Sequence, residues 1–426
     1  MIVYLICYAA SWISARFGLY YLSGAALFLA AGYLYVYDYR RSGNLIHLRG
    51  LFSCFWVGGQ GAACLKLSKL QTDWAIQTWI CFFLALVGFW ITFEVLDRLM
   101  GGNERFTMNR YRQRSTVRPL FFCIVGLTVI SAAAFVTEAA VLGFIPVLVR
   151  GVPHAYSAFH MTGLHYVTVS CVLIPAMTVL YFEQGGSRSG RKNGLIVLCT
   201  LVSIAIPILC VSRFQLVFAV ILAVFTFCAS QKNVSPWLFV AAVVALIPCY
   251  VLLTVARSHD VTYLNGIFEM KNSRMPIFVS QPYIYIANNY ENFDCLVKAL
   301  PAHTWGIRML FPVWALTGLK FLYPYLVSFP IYVDKTELTT VTLIYDAYYD
   351  FGIIGVLVFA CILGAVCFFL VEKLHEMKNP MGYLFYGQMA IYMMLSFFTT
   401  WFSNPTTWFY FLVTAVLTFY CSVSRR

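Results

Sequence analysis

The sequence predicts an all-α protein that crosses a membrane about twelve times, and three observations support this prediction. Apolar residues make up 61% of the chain and charged residues only 11%, and a water-soluble globular domain could not bury so much apolar surface. The apolar residues fall in runs of roughly 17 to 23, about the length with which a helix crosses a hydrocarbon core. Positive charge is concentrated in a few short segments between these runs.

The placement of charge along the chain says more than the net charge of +12. In a soluble protein such a charge would suggest nucleic acid, but here it follows the rule that cytoplasmic loops are rich in Lys and Arg, so no nucleic-acid partner is expected. Of the 29 Lys and Arg residues, 17 lie in segments 38–49, 97–118, 183–193, 231–235, 372–379 and 425–426. These segments predict a multi-pass protein with both termini in the cytoplasm.

The apolar runs place the helices in a single membrane domain over residues 1–426. They predict helices at about 2–15, 18–37, 50–68, 74–96, 119–137, 164–182, 236–255, 352–371, 381–400 and 406–423, with a hairpin over 194–230. The hairpin follows from length, because 37 apolar residues in one helix would extend about 55 Å. Its polar break at Ser212-Arg213 marks the extracytoplasmic tip.

A long extracytoplasmic segment, residues 257–351, precedes the third-last helix. It contains seven basic and eight acidic residues and many tyrosines. The chain changes side at each membrane span, and the basic segments all fall on the cytoplasmic side only if residues 305–327 do not cross the membrane. Arg308, Pro312, Lys320 and Pro324 in that stretch favour an interfacial or re-entrant helix.

Arginines at the outer ends of apolar helices suggest a site for an anion. Arg213 and Arg257 end neighbouring helices, and Arg274 follows in the same outer region. Arginine is costly near the membrane and its planar fork binds phosphate with two hydrogen bonds. The alternative is an interfacial arginine whose head group reaches water.

The sequence PYIYIANNYENFD, residues 282–294, combines aromatic rings with amides and carboxylates. Flat rings and polar hydrogen-bonding groups are typical of a sugar-binding cleft. The alternative is a belt of aromatic residues at the lipid headgroups, which accounts for the tyrosines but not for the amide cluster. The candidate residues are Tyr285, Asn288, Tyr290, Glu291 and Asn292.

The sequence YDAYYDFGIIG places Asp346 and Asp350 four residues apart, on one face of a helix if the helix has already begun. Acidic residues also favour helix N-termini, so Asp350 as the N-cap of the third-last helix is the stronger interpretation of that residue. Because the two carboxylates would share one helix face, Asp346 and Asp350 are also candidates for substrate binding. Gly352 and Gly355 would permit close approach of a neighbouring helix.

No metal or nucleotide chemistry is indicated by sequence motifs. His154, His160, His165 and His303 have none of the spacings of metal sites, and no phosphate-binding loop or nucleophile elbow is present. No cofactor is expected. His303 lies in the outer segment and is a candidate general base, against the alternative of a solvated surface histidine.

The chain resembles the oligosaccharide repeat unit polymerases, the Wzy-type O-antigen and capsule polymerases of bacteria. The resemblance extends over essentially the whole chain. It rests on the number of helices and the long late outer loop, on SRFQL at 212–216, on YIYIANNYENFD, and on YYDFGIIG before a membrane helix.

The resemblance implies a glycosyltransferase of the GT-C type in the bacterial plasma (inner) membrane. Such an enzyme moves a growing glycan from undecaprenyl pyrophosphate to the terminal sugar of an incoming lipid-linked repeat unit on the outer face. By the same resemblance Arg213 and Arg257 face the phosphates and are catalytic candidates, and Gln215 of SRFQL is a candidate for substrate binding. Transfer also needs a base for the attacking hydroxyl, which an outer carboxylate or a histidine could supply, so Glu291 and His303 are the other catalytic candidates. Membrane lipid, a flippase and a chain-length regulator are the implied partners.

Two other functions fit the same sequence pattern. A transporter or flippase of lipid-linked oligosaccharide would also be polytopic and use charged residues, although we find no internal repeat of the transporter kind. A ligase similar to the O-antigen ligases would hand finished glycan to a different acceptor. Loop composition does not distinguish such a ligase from a polymerase.

Overall fold

The computed structural model describes residues 1–100, 116–149, 155–231, 234–235, 237, 261–374 and 377–423. Within these residues the secondary structure is helical, and one isolated β-bridge joins Ser68 to Met270. The helices of the first half are α1 Ile2–Arg16, α2 Tyr20–Ser42, α3 Leu48–Cys64, α4 Ile76–Met100, α5 Val117–Leu142, α6 Ala155–Ala158, α7 Leu164–Val169, α8 Ile174–Glu183, α9 Gly190–Leu209 and α10 Arg213–Ser230. Those of the second half are α11 Val261–Phe268, α12 Ile277–Ala299, α13 Phe311–Leu316, α14 Leu319–Leu322, α15 Tyr345–Leu374, α16 Met381–Met394 and α17 Pro405–Val423.

Seven helical stretches within the described residues are long and apolar enough to cross a membrane, the pattern of a polytopic membrane protein. They are Ile76–Met100, Val117–Leu142, Leu164–Glu183, Gly190–Leu209, Arg213–Ser230, Tyr345–Leu374 and Pro405–Val423. Of the other predicted spans, α1, α3 and α16 have only 15, 17 and 14 residues. The predicted ninth span, about 236–255, lies outside the described residues apart from residue 237.

Contacts along the chain divide the structure into two compact units. Unit 1 comprises Met1–Phe106, Asp260–Glu372 and Tyr392–Thr407. Unit 2 comprises Thr107–His259, Lys373–Ile391 and Trp408–Arg426. The long segment 257–351 therefore belongs almost wholly to unit 1.

In unit 1, α4 and α15 run side by side in the same direction. A side chain at Gly88 would meet Leu357 and Ala360, and Phe93 packs edge-on against Phe368 with ring centres 5.4 Å apart. Residue numbers increase in the same direction along both helices, so the helices are parallel. The N-terminal end of α15, called its head below, therefore lies at the same end of unit 1 as the N-terminal end of α4.

A buried ion-pair network lies at the opposite end of unit 1. Arg49 is fully buried and donates two hydrogen bonds to Asp38, at 2.6 and 2.9 Å, and a third to Glu94 at 3.2 Å. Its guanidinium also lies 4.2 Å from the ring centre of Trp90. These contacts join α2, α3 and α4, and two of the residues belong to the predicted cytoplasmic segment 38–49.

The outer segment contains two departures from the sequence prediction. Residues 277–299 form the 23-residue helix α12, which was not predicted. The stretch 305–327, predicted as one interfacial or re-entrant helix, contains three short pieces: α13, α14 and a 3₁₀ turn at Pro324–Leu326. Gly318, with φ of 79°, separates α13 from α14, and Pro324 lies two residues after the end of α14.

In unit 2 the predicted hairpin over residues 194–230 is confirmed. Helix α9 ends at Leu209, α10 begins at Arg213, and Ser212 stands at the N-cap position with extended backbone angles. The break lies where Ser212-Arg213 interrupts the apolar run. Chain length and one polar pair were sufficient to locate it.

We predict that Arg49→Ala strongly destabilises unit 1, because it leaves the Asp38 carboxylate buried without its ionic partner. Removing one member of a buried pair costs about 3–5 kcal/mol. Arg98→Ala is the matched control, since Arg98 is 77% exposed and pairs with the same Glu94 at 3.1 Å. Its loss should cost at most about 0.5 kcal/mol. Thermal unfolding in detergent measures both, and equal midpoints for the two variants would contradict the assigned role of Arg49.

Candidate functional site

The amide-rich stretch predicted as a sugar cleft lies on α12, and its amides bind backbone within unit 1. Asn289 donates at 2.7 Å to the carbonyls of Tyr285 and Phe397. Asn292 donates at 2.7 Å to the carbonyls of Leu338 and Thr340. These bonds hold residues 338–340 and 397 against α12, so both side chains serve the fold.

Glu291, a catalytic candidate, is buried and has three partners. Its carboxylate lies 2.5 Å from the Lys66 ammonium and accepts hydrogen bonds from Trp74 Nε1 at 2.7 Å and the Thr72 amide at 3.1 Å. Burial raises the pKa of the Glu291 carboxyl, and Lys66 and the two N–H donors oppose that shift. These contacts fix the loop between α3 and α4 on α12.

Two other candidates on α12 are also buried. Tyr290 donates to the carbonyl of Trp56 at 2.7 Å, and its ring packs against Trp56 and Phe82. Asn288 donates to Asn292 at 3.3 Å, while its own carbonyl oxygen has no hydrogen-bond partner in the described part of the chain. Tyr285 is half-buried. Of the five candidates on this stretch, Tyr285 is thus the most accessible.

The head of α15 brings three of the predicted residues together. Asp346 and Asp350 lie one turn apart on α15, as their spacing predicts, and both are buried. His303 packs edge-on against Tyr348 of the same helix, with ring centres 5.9 Å apart. Arg308, which the sequence analysis did not select, forms a close ion pair with Asp346. We call His303, Arg308, Asp346 and Asp350 the α15 head cluster.

Asp350 caps a turn of the outer segment rather than its own helix. Its carboxylate accepts hydrogen bonds from the Met309 amide at 2.7 Å, the Arg308 amide at 3.2 Å and the Thr304 hydroxyl. The Trp305 amide also donates to the Asp350 carbonyl, at 3.2 Å. Asp350 is therefore not the N-cap of its own helix, contrary to the prediction. Its carboxylate instead caps the turn over residues 304–309.

Arg308 connects the cluster to the surrounding tyrosines. Its guanidinium lies 4.5 Å from the ring centre of Tyr349 and 5.4 Å from that of Tyr345, and its side chain is 15% exposed. The ion pair with Asp346 uses Nε. Its two terminal nitrogens make no hydrogen bond within the described residues, so they are available to an anion.

The position of His303 determines which ring nitrogen carries a proton. Nδ1 lies 3.2 Å from the carbonyl oxygen of Tyr349, which can only accept a hydrogen bond. Nδ1 therefore holds the proton in the neutral ring, and Nε2 has a free lone pair. Because His303 is exposed, Nε2 is the accessible base of the cluster.

A break in α15 directly follows the cluster. Gly352 has φ of 63° and ψ of −146°, a conformation that is essentially restricted to glycine. A Cβ at this position would lie 3.0 Å from His303 Nε2. Glycine therefore permits both the break and the close approach of the imidazole ring.

The remaining predicted residues lie elsewhere. Arg213 is buried at the start of α10 and Gln215 is half-buried two residues further along; both belong to unit 2. Arg274 is exposed in the turn before α12, where its amide donates to the Asn272 side chain at 3.0 Å. Arg257 lies outside the described residues.

Comparison of the chain with protein-family models, with curated proteins and with solved structures found no match. The resemblance to the repeat unit polymerases therefore rests on the sequence motifs. Within the described residues, no group of three His, Cys, Asp or Glu side chains is arranged to hold a metal ion.

We predict that Gly352→Ala destabilises the head of α15 and displaces His303. The forced backbone conformation alone costs about 1–3 kcal/mol, and contact with the imidazole adds to it. Gly266→Ala is the matched control in the same outer segment, because its Cβ would have open space. Thermal unfolding of the two variants in detergent is the measurement. A midpoint for Gly352→Ala equal to that of Gly266→Ala would contradict the strained geometry.

Proposed function

We propose that the protein is a membrane glycosyltransferase that polymerises lipid-pyrophosphate-linked oligosaccharide repeat units. The α15 head cluster is the observation that best supports this proposal, because it combines an accessible base with an anion-binding guanidinium. The sequence resemblance supplies the substrate class. The proposal includes the finer architecture that the resemblance implies, with about twelve spans, a GT-C fold and cytoplasmic termini in the bacterial plasma membrane.

Transfer of a glycan from a pyrophosphate requires two kinds of assistance. The acceptor hydroxyl must lose its proton as its oxygen bonds to the anomeric carbon, and His303 Nε2 would take that proton. The bond between the anomeric carbon and the phosphate oxygen breaks, and its electron pair leaves with the pyrophosphate. The terminal nitrogens of Arg308 would stabilise the charge that develops there.

Asp346 and Asp350 would act by positioning. Asp346 orients the Arg308 guanidinium through Nε, which leaves the two terminal nitrogens paired for bidentate contact with a phosphate. Asp350 fixes the turn over residues 304–309 on which Arg308 stands. The phosphate role of Arg213 and Arg257, the substrate role of Gln215 and Arg274, and the flippase and chain-length regulator as partners stay predictions from the sequence.

The proposal predicts a glycan ladder from purified protein given only repeat units on undecaprenyl pyrophosphate, without nucleotide. Separation of the products by gel electrophoresis reports the chain lengths. Translocation of unchanged substrate across a vesicle membrane would instead favour the transporter, and transfer of preformed glycan to a different acceptor only would favour the ligase. A strict requirement for ATP would also contradict the proposal.

Two variants connect this assay to the α15 head cluster. His303→Gln removes the base and should slow ladder formation about 10²- to 10⁴-fold at an unchanged unfolding midpoint. Arg308→Lys should lose about tenfold or more, because it keeps one charge but not the fork. Lys320→Ala is the control: it removes a cation that forms no ion pair within the described residues, and ladder formation should stay normal. Normal ladders from His303→Gln would exclude it as the base.

A further inference from the structure

Unit 2 contains a basic cleft of its own, whereas the α15 head cluster belongs to unit 1. The cleft has a volume of about 490 Å³ and lies among the start of α5, the end of α8 and the start of α9. Each of these ends is also the end of a candidate membrane span. The cleft therefore opens where those spans reach the membrane surface.

The lining of the cleft has a single sign of charge. Arg118, Arg188 and Lys192 line it, and among the described residues that line it none is acidic. All three side chains are exposed, and none forms an ion pair within the described part of the chain. Three cations that converge without a carboxylate attract an anion, and arginine in particular suits phosphate.

The turn that presents two of these cations is well ordered by hydrogen bonds. The Ser187 amide lies 3.0 Å from both the Tyr181 hydroxyl and the Asn193 side-chain oxygen. Asn193 returns a hydrogen bond to the Ser187 carbonyl at 3.0 Å. Because Arg188 and Lys192 flank this network, their backbone positions are fixed before any ligand binds.

Two aromatic rings line the cleft together with the cations. Phe121 and Phe122 lie in the first turns of α5, and the Phe122 side chain is 49% exposed. Arg118 lies 5.9 Å from the ring centre of Phe122, and Lys192 lies 5.8 Å from that of Phe121. Positive charge and aromatic surface are thus adjacent at the end of membrane spans, which matches a molecule with an anionic head and an apolar tail.

We propose that this cleft binds one anionic phospholipid, with its phosphate on Arg118, Arg188 and Lys192 and its acyl chains along Phe121 and Phe122. The positive-inside rule places this end in the cytoplasmic leaflet, the side opposite to the proposed transfer reaction. The bound lipid would anchor the ends of α5, α8 and α9 at the headgroup level.

The test uses the full chain, purified in a neutral detergent and titrated with phosphatidylglycerol or phosphatidylcholine while native mass spectrometry counts bound lipids. We expect one saturable phosphatidylglycerol site with no equivalent phosphatidylcholine site. Arg118→Gln and Lys192→Gln should each weaken it about fivefold. Arg191→Gln is the matched control, since Arg191 is exposed beside Lys192 but does not line the cleft, and it should leave affinity unchanged.

Three results would overturn the proposal. Equal weakening by Arg191→Gln and Lys192→Gln would show diffuse attraction to a basic surface. Equal binding of the two lipids would show that the headgroup charge is not recognised. Displacement of the lipid by millimolar inorganic phosphate would show a site for free phosphate. Because all the substituted side chains are exposed, the variants should fold, and their unfolding midpoints in detergent alone verify this.

Discussion

The ion pair between Lys66 and Glu291 is the interaction on which the packing of α12 in unit 1 depends. Both side chains are buried, and the ammonium also donates to the Thr72 carbonyl and lies 4.4 Å from the ring centre of Trp74. Burial of two charges is costly, and here three further hydrogen bonds and an aromatic face offset that cost. The pair therefore sets the position of α12 against the loop between α3 and α4.

The rest of the outer segment is built on α12 by polar contacts. A buried amide or carboxylate is unfavourable unless each of its polar atoms has a partner. Asp294 satisfies this requirement, because its Oδ1 accepts from the Thr78 hydroxyl at 2.6 Å and the Ala75 amide at 2.8 Å, and its Oδ2 lies 2.5 Å from the Lys298 ammonium. Since Asn289 and Asn292 bind backbone at 338–340 and 397, α12 is a scaffold. The accessible polar groups are those of the α15 head cluster, where α15 begins.

Local features of the sequence predicted local features of the structure. The hairpin between α9 and α10 follows from an apolar run too long for one helix, and the shared face of Asp346 and Asp350 follows from their spacing. The partners of α12 could not be predicted in this way. Asn292 binds carbonyls about 46 residues away, and the position of a backbone carbonyl in the fold cannot be inferred from the order of the side chains.

Arg308 shows why the site itself was only partly predicted. Its ionic partner Asp346 lies 38 residues further along the chain, on another helix. The sequence did contain a signal, because arginine is costly in an apolar interfacial stretch and usually has a partner there. That signal was used only to argue that residues 305–327 do not cross. In contrast, Glu291 was selected for its polar neighbours in sequence, and those neighbours proved to be parts of the fold.

The central claim is that the carboxylate of Glu291 holds the fold while the α15 head cluster performs the chemistry. The most direct measurement is ladder formation per folded molecule in the double variant Lys66→Met with Glu291→Gln, which removes both charges together so that neither is left unpaired. The account predicts a lower unfolding midpoint, because the pair supports the fold, but a specific activity per folded molecule that stays within about twofold of the parent, a difference below 0.5 kcal/mol in the barrier. A folded double variant that makes no polymer would contradict it and identify Glu291 as a catalytic group.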